Sequence, residues 1–154
     1  MMLQTVSQLH FDQVDRDFPR QCWDHVGVSS DEVVDLLGSV CPLGIWRLEI
    51  ETGRMFWSED AARIHGMEKS EGPVSLNRIL SMYHPDDAVL VEELVGATTI
   101  EQNSFRFVLR VKDSKSGHRL IAMAGRFRAA NGGELYGYCH EFNDMVRSIV
   151  LTGG

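Results

Sequence analysis

The sequence is defined first by what it lacks. It has no apolar run long enough to cross a bilayer as a helix, so no membrane role is expected. Its start, Met-Met-Leu-Gln-Thr-Val-Ser-Gln, has neither the basic opening nor the apolar core of a secretory signal peptide. Cysteine is scarce: Cys22, Cys41 and Cys139 are three in 154 residues, odd in number and far apart. They do not form a disulfide framework, and reduced thiols in a cytoplasm are the expectation. Positive charge is short too, with 15 Lys and Arg against 22 Asp and Glu and a formal net charge of −7. That disfavours nucleic acid and anionic membranes as partners. There is no internal repeat, no low-complexity tract, no glycine-rich phosphate loop and no Gly-x-Ser-x-Gly elbow. What is present is a 44% hydrophobic content, enough for the core of one domain.

The clearest local signal runs from Gly44 to Ser58. Ile45, Arg47 and Glu49 alternate with Trp46, Leu48 and Ile50, the period of a strand. Glu51-Thr52-Gly53 is a turn whose glycine is free to take positive φ, and Arg54-Met55-Phe56-Trp57 is the returning strand. Ser58 offers an N-cap oxygen to a short helix over 58–64, with Glu59 and Asp60 in its first turn and His65-Gly66 at its end.

Upstream, residues 1–28 read as a partly ordered extension broken by Pro19, with Phe11, Phe18 and Trp23 in need of burial. Ser29 and Glu32 form a capping box for an amphipathic helix over 29–39, with Val33, Val34, Leu36 and Leu37 as its apolar stripe. Downstream, Ser75 caps a short helix carrying Leu76, Ile79, Leu80 and Met82. His84-Pro85-Asp86-Asp87 opens a further helix, with proline at its first position and the acids at its positive end. Val89, Leu90, Val91, Leu94 and Val95 give its apolar face, and Gly96 is expected to close it. The last third is β. Phe105, Phe107, Leu109 and Val111 share one face of a strand. A strand over 120–128 carries Ile121, Met123 and Phe127 on one face and small Ala122 and Ala124 on the other. Ala130-Asn131-Gly132-Gly133 makes a hairpin turn into a third strand over 135–142. The plan is α+β: a five-stranded antiparallel sheet with short helices on one face and an N-terminal flanking helix.

Strand, Thr-Gly turn, strand ending in Trp57-Ser58, acidic-capped helix, then His84-Pro85-Asp86-Asp87 is an order that resembles a PAS domain, over residues 40–143. Arg110, Gly117, Asn131-Gly132 and Gly137 are further landmarks. Glu141-Phe142-Asn143 stands where many PAS domains have Asp-Ile-Thr, and Leu120 where a Trp is common. The resemblance implies a cytoplasmic, bacterial-type sensory module without enzymatic activity. It implies a signal relay through Glu141 and Asn143, a flanking helix whose Val33, Leu36 and Leu37 cover the outer face of the sheet or make a homodimer contact, and a signalling partner or a separate output domain. Residues 144–154 read as the stub of an outgoing helix, so the chain is either a piece of a larger signalling protein or a stand-alone module acting through a partner. A ligand pocket would lie between sheet and helices, lined by Trp46, Met55, Ile64, Leu80, Leu94, Phe107 and Met123; the same residues could instead fill a dry core. A cofactor-free dimerisation or adaptor module is the alternative.

The chemistry-bearing residues give little else. No cysteine lies in the Asn-Cys-Arg type of setting that a flavin-adduct PAS domain needs, and His84 at a helix start is a poor axial ligand, so flavin and haem are disfavoured. The cofactor is left unknown. Cys22-x-x-His25 and adjacent Cys139-His140 do not make a metal site: neighbours on a strand point to opposite faces, leaving a buried thiol and an edge histidine. Asp86 and Asp87 are explained as dipole partners rather than an acid–base pair. Arg106, Arg110, Lys112, Lys115 and Arg119 make a basic hairpin, either a solvated rim or a docking patch for an acidic partner.

Overall fold

A computed structural model describes residues 10–12, 20–68 and 72–142. Its described part is α+β. Strand β1 (His10–Asp12) and a 3-10 turn over Asp24–Val26 precede helix α1 (Ser30–Val40). The domain then runs β2 (Gly44–Glu49), β3 (Arg54–Trp57), α2 (Glu59–Ile64), β4 (Val74–Ser75), α3 (Leu76–Leu80), α4 (Pro85–Glu101), β5 (Ser104–Asp113), β6 (Gly117–Arg128) and β7 (Glu134–Glu141). All pairings are antiparallel, in the order β1-β5-β6-β7-β2-β3-β4. The five expected strands are contiguous in the middle. The sheet is nevertheless seven-stranded, because β4 extends β3 and β1 covers part of the β5 edge.

The helix starts follow from their caps. Ser29 accepts from the Glu32 N–H while Glu32 accepts from the Ser29 N–H, a complete capping box. Ser58 and Ser75 cap α2 and α3 in the same way from one side. His84 caps α4 through Nδ1, which accepts from the Asp86 N–H at 3.1 Å, ahead of Pro85. Gly96 does not end α4; the helix runs through it to Glu101 and stops at Gln102, whose φ is 57°. Gly96 is helical and exposed, so the termination signal is the left-handed Gln102 instead.

The sheet has two unlike faces. The inner one carries Trp46, Leu48, Met55, Phe107, Ile121 and Leu135 under α3 and α4, and makes the core. One row across it is aromatic at its flanks and bare at its centre: Phe105, Gly125, Gly137, Trp46 and Trp57 are successive cross-strand partners. A Cβ on Gly125 would stand 2.7 Å from the Trp46 ring, and one on Gly137 would stand 1.8 Å from the Ala124 carbonyl oxygen. Gly125 therefore gives the indole its place, Gly137 lets β7 lie close against β6, and Trp46 Nε1 donates to the Tyr138 carbonyl at 3.1 Å. Cys139 is buried on this face and His140 faces outward, on the inner strand β7 and not on an edge.

The outer face is charged at one end and apolar at the other. Glu134, 1% exposed, accepts from Arg47 at 2.7 Å, from Arg128 at 2.8 Å and from Asn131 at 3.2 Å. Arg47 and Arg128 in turn lie over the rings of Phe56 and Tyr136. At the other end Ile45 (48% exposed) and Tyr138 (45%) are direct cross-strand partners, next to Ala122 and Ala124, with exposed Leu120 and Phe142 nearby.

The glycine row yields a paired prediction. Gly137→Ala will destabilise the domain by about 1–3 kcal/mol through overpacking. Gly96→Ala, on open helix surface, will stabilise it by about 0.5–1 kcal/mol. Urea denaturation of both variants checks the two signs; a Gly137→Ala protein as stable as the parent would contradict the account of the row.

Candidate functional site

Between the inner sheet face and helices α3 and α4 lies a cavity of about 20 Å³, walled almost entirely by apolar side chains. Trp46, Met55, Phe107 and Met123 of the sequence-derived set line it. Ile64 and Leu94 are buried in the core outside its wall, and Leu80 is half-buried outside it. The rest of the wall comes from Leu48, Phe105 and Leu135 on the sheet and Leu76, Ile79, Tyr83, Val91 and Val95 beneath it. Phe105 and Leu135 follow from the strand alternation already visible in the sequence. Nothing in sequence marks Tyr83, which sits in the link between α3 and α4. The space is small because the aromatic side chains fill it: Trp46 and Phe105 have ring centroids 6.0 Å apart, and Phe105 stacks on Phe107 at 5.5 Å. A ligand larger than a water molecule enters only if these side chains, or the two methionines, give way.

A buried polar pair joins this wall to α2. His65, the residue that caps the end of α2, is 4% exposed. Its Nδ1 lies 2.8 Å from the Ala61 carbonyl oxygen, its Nε2 lies 2.9 Å from the Tyr83 hydroxyl, and its ring rests on Trp57 at 4.6 Å. Burial pulls its pKa down to about 4, against the carbonyl contact that favours the charged ring. The imidazole is therefore neutral at pH 7. Burial also raises the Tyr83 hydroxyl above its ordinary value and pushes the Cys139 thiol up to about 12. The one buried cysteine is thus a protonated thiol, not a poised nucleophile.

The end of α2 is also clamped from the sheet. Arg119 donates through Nη2 to the Ile64 carbonyl at 2.9 Å and through Nη1 to Glu141 at 2.7 Å, and its Nε lies 3.4 Å from Asp113. One guanidinium thus ties the last turn of α2, the β5–β6 turn and the last residue of β7. Glu141 is described and paired; Asn143, the other expected relay residue, lies outside the described residues. The start of α4 is bolted down similarly. Asp87 is 2% exposed and takes a bidentate grip from Arg110, at 2.7 and 3.0 Å, plus the Arg110 backbone N–H at 2.9 Å. Burial pushes its carboxyl up, and the guanidinium and amide bonds more than offset that, leaving it below the usual range. So Asp87 is more than a helix-dipole partner.

Three of the five charges in the basic hairpin, read as a solvated rim or a docking patch, are engaged within the fold. Arg110 is held by Asp87, Lys112 Nζ donates to the Ser81 carbonyl, and Arg119 is held by Glu141 and Asp113. These three charges tie the fold together. Among the described residues no three His, Cys, Asp or Glu side chains converge as a metal site, and no helix is long and apolar enough to cross a membrane.

The expected flanking-helix residues Val33, Leu36 and Leu37 are exposed, as are Val34 and Val40; no residue of α1 is buried. Three residues, 41–43, connect α1 to the first strand of the outer apolar patch. Trp23, expected to need burial, is 38% exposed.

No protein-family model matches the sequence, and no curated protein matches it. Solved structures do match. A sensory box histidine kinase/response regulator from Burkholderia thailandensis is 21% identical over 72% of this chain and 85% of its own, with a TM-score of 0.57. The N-terminal domain of a diguanylate cyclase with PAS/PAC sensor from Marinobacter aquaeolei is 13% identical over 64% of this chain and 94% of its own, with a TM-score of 0.55. The fold is therefore that of a PAS domain.

The depressed His65 value fixes a pH dependence. Its folded pKa, about 4, lies below the unfolded value near 6.5, so the unfolded chain binds the extra proton first. The stability of the neutral ring is full above pH 6.5 and is lost as pH falls toward 4. Between pH 7 and pH 5 this group alone will cost about 2 kcal/mol. Urea midpoints at the two pH values check it, with His65→Gln as the reference in which this part of the slope disappears.

Proposed function

We propose that this chain is a cytoplasmic, non-catalytic sensory module of the PAS type that acts by association with a second copy of itself. The observation that carries the reading is α1. It has a complete capping box, an apolar stripe of Val33, Leu36 and Leu37, and no buried residue. A helix so built is stable mainly when its apolar side is covered. The outer sheet face supplies a matching surface at Ile45, Tyr138 and Leu120, three residues from where α1 ends. In a homodimer the helix of one protomer and the sheet face of its partner cover one another. The signal then passes along the Arg119–Glu141 tie to Asn143 and whatever follows, a partner protein or an output domain.

A second reading has its own observation. The cavity beneath Trp46, with two methionines in its wall, favours a module gated by a small ligand. The two readings are compatible, since a ligand displaces the packing that the outer face and α1 report.

The wild-type protein is expected to run as a dimer in light scattering coupled to gel filtration. The double variant Val33→Asp/Leu37→Asp will run as a monomer with an unchanged circular-dichroism spectrum. A variant that stays dimeric counts against the α1 contact.

A further inference from the structure

A chain of hydrogen bonds runs from α2 into the cavity wall, and chemistry fixes its direction. The Ala61 carbonyl oxygen can only accept, so His65 Nδ1, 2.8 Å away, carries a proton and donates it. The ring is neutral at pH 7, which leaves Nε2 with a lone pair and no proton. Nε2 therefore accepts from the Tyr83 hydroxyl at 2.9 Å. A phenol has one proton to give. Once it is given to His65, Tyr83 Oη offers lone pairs alone. Its other neighbour is Met123 Sδ at 3.6 Å, which has no proton either. Tyr83 and Met123 both line the cavity. The one other N–H or O–H on a lining side chain is Trp46 Nε1–H, already committed to the Tyr138 carbonyl.

The cavity thus offers apolar walls and no charged side chain; the one uncommitted acceptor beside it is Tyr83 Oη, covered by Met123 Sδ and reached when that side chain turns aside. We infer that the ligand of this cavity is a neutral, mainly apolar molecule carrying a single hydrogen-bond donor, which it gives to Tyr83 Oη. The inference rests on the small-ligand reading above and names the chemistry that reading would require. An ion entering here would lose its hydration with nothing to replace it. A molecule with acceptors alone, such as an ether, would set its lone pairs against those of Tyr83. Water is a poor occupant, because a buried water needs two to four polar partners and the wall supplies one. A donor-bearing ring makes room by turning the unbranched side chains of Met55 and Met123.

The test uses the whole chain and its Met123→Ala variant, which opens space beside Tyr83 Oη. Each is titrated with phenol and with anisole, the same ring with its donor methylated, and followed by amide chemical shifts around Tyr83. Ring ¹⁵N shifts of His65 are recorded in the same samples. Phenol is expected to bind about fivefold or more tightly than anisole, with the His65 proton on Nδ1. Anisole binding as tightly as phenol, or a proton found on Nε2, overturns the donor inference while the cavity remains a ligand site. No binding of either molecule to either protein, up to their solubility, overturns the small-ligand reading itself.

Discussion

The structure depends on one steric constraint: a row that holds Trp46 has no room for side chains on its two central residues. Gly125 and Gly137 sit side by side in the middle of the sheet; the indole lies where the Gly125 side chain would have been, and a Gly137 side chain would run into the Ala124–Gly125 backbone. From that follow the tilt of Trp46 toward Phe105, the closeness of the Phe105–Phe107 stack and the small volume left below them. A protein interior is packed near crystal density, so a ring of this size cannot be accommodated by small shifts spread over many neighbours. The glycines localise the accommodation to a single row. The indole N–H is satisfied within the sheet, at the Tyr138 carbonyl, so the ring carries no polar debt into the core.

Three buried polar side chains around this core, Asp87, His65 and Glu134, are each satisfied by a partner from a different element. Asp87 of α4 is held by Arg110 of β5. His65 at the end of α2 is held by Tyr83 in the α3–α4 link. Glu134 of β7 is held by Arg47 of β2 and Arg128 of β6. Such groups specify geometry more than they add stability, because an unpaired partner left behind costs more than the pair contributes. Apolar packing alone would allow α2 and α4 to slide; these contacts fix where each helix meets the sheet.

Much of this was legible in the sequence, for physical reasons that differ from element to element. Capping is local, so Ser29 with Glu32, Ser58, Ser75 and Pro85 announced four helix starts within a few residues of each event. Strand alternation is local as well, and it assigned Phe105, Phe107, Leu109 and Val111 to one face. The end of α4 was misread because a glycine in a helix only weakens it, while the actual stop lies in the backbone of Gln102, a residue type that gives no such signal. The β1 pairing was invisible because three residues carry too little pattern to mark a strand. The cavity wall was one-third legible: four of its twelve residues were expected to line it, but which core residues border a gap depends on how neighbouring rings interdigitate. His65 and Tyr83 lie 18 positions apart, and no spacing rule brings them together.

The helix that carries His65 is also the helix whose last carbonyl is held by Arg119, and Arg119 is held by Glu141 at the end of β7. The cavity wall and the end of β7 are therefore joined through three short contacts: Tyr83 to His65, Arg119 to the Ile64 carbonyl, and Arg119 to Glu141. The first and last of these differ in energy. The Tyr83–His65 bond is buried, so breaking it without replacement costs about 1–3 kcal/mol. The Arg119–Glu141 pair is partly exposed, with side chains 27% and 45% accessible, and such pairs contribute about 0–1 kcal/mol. A disturbance at Tyr83 is thus larger than the restraint that Glu141 supplies.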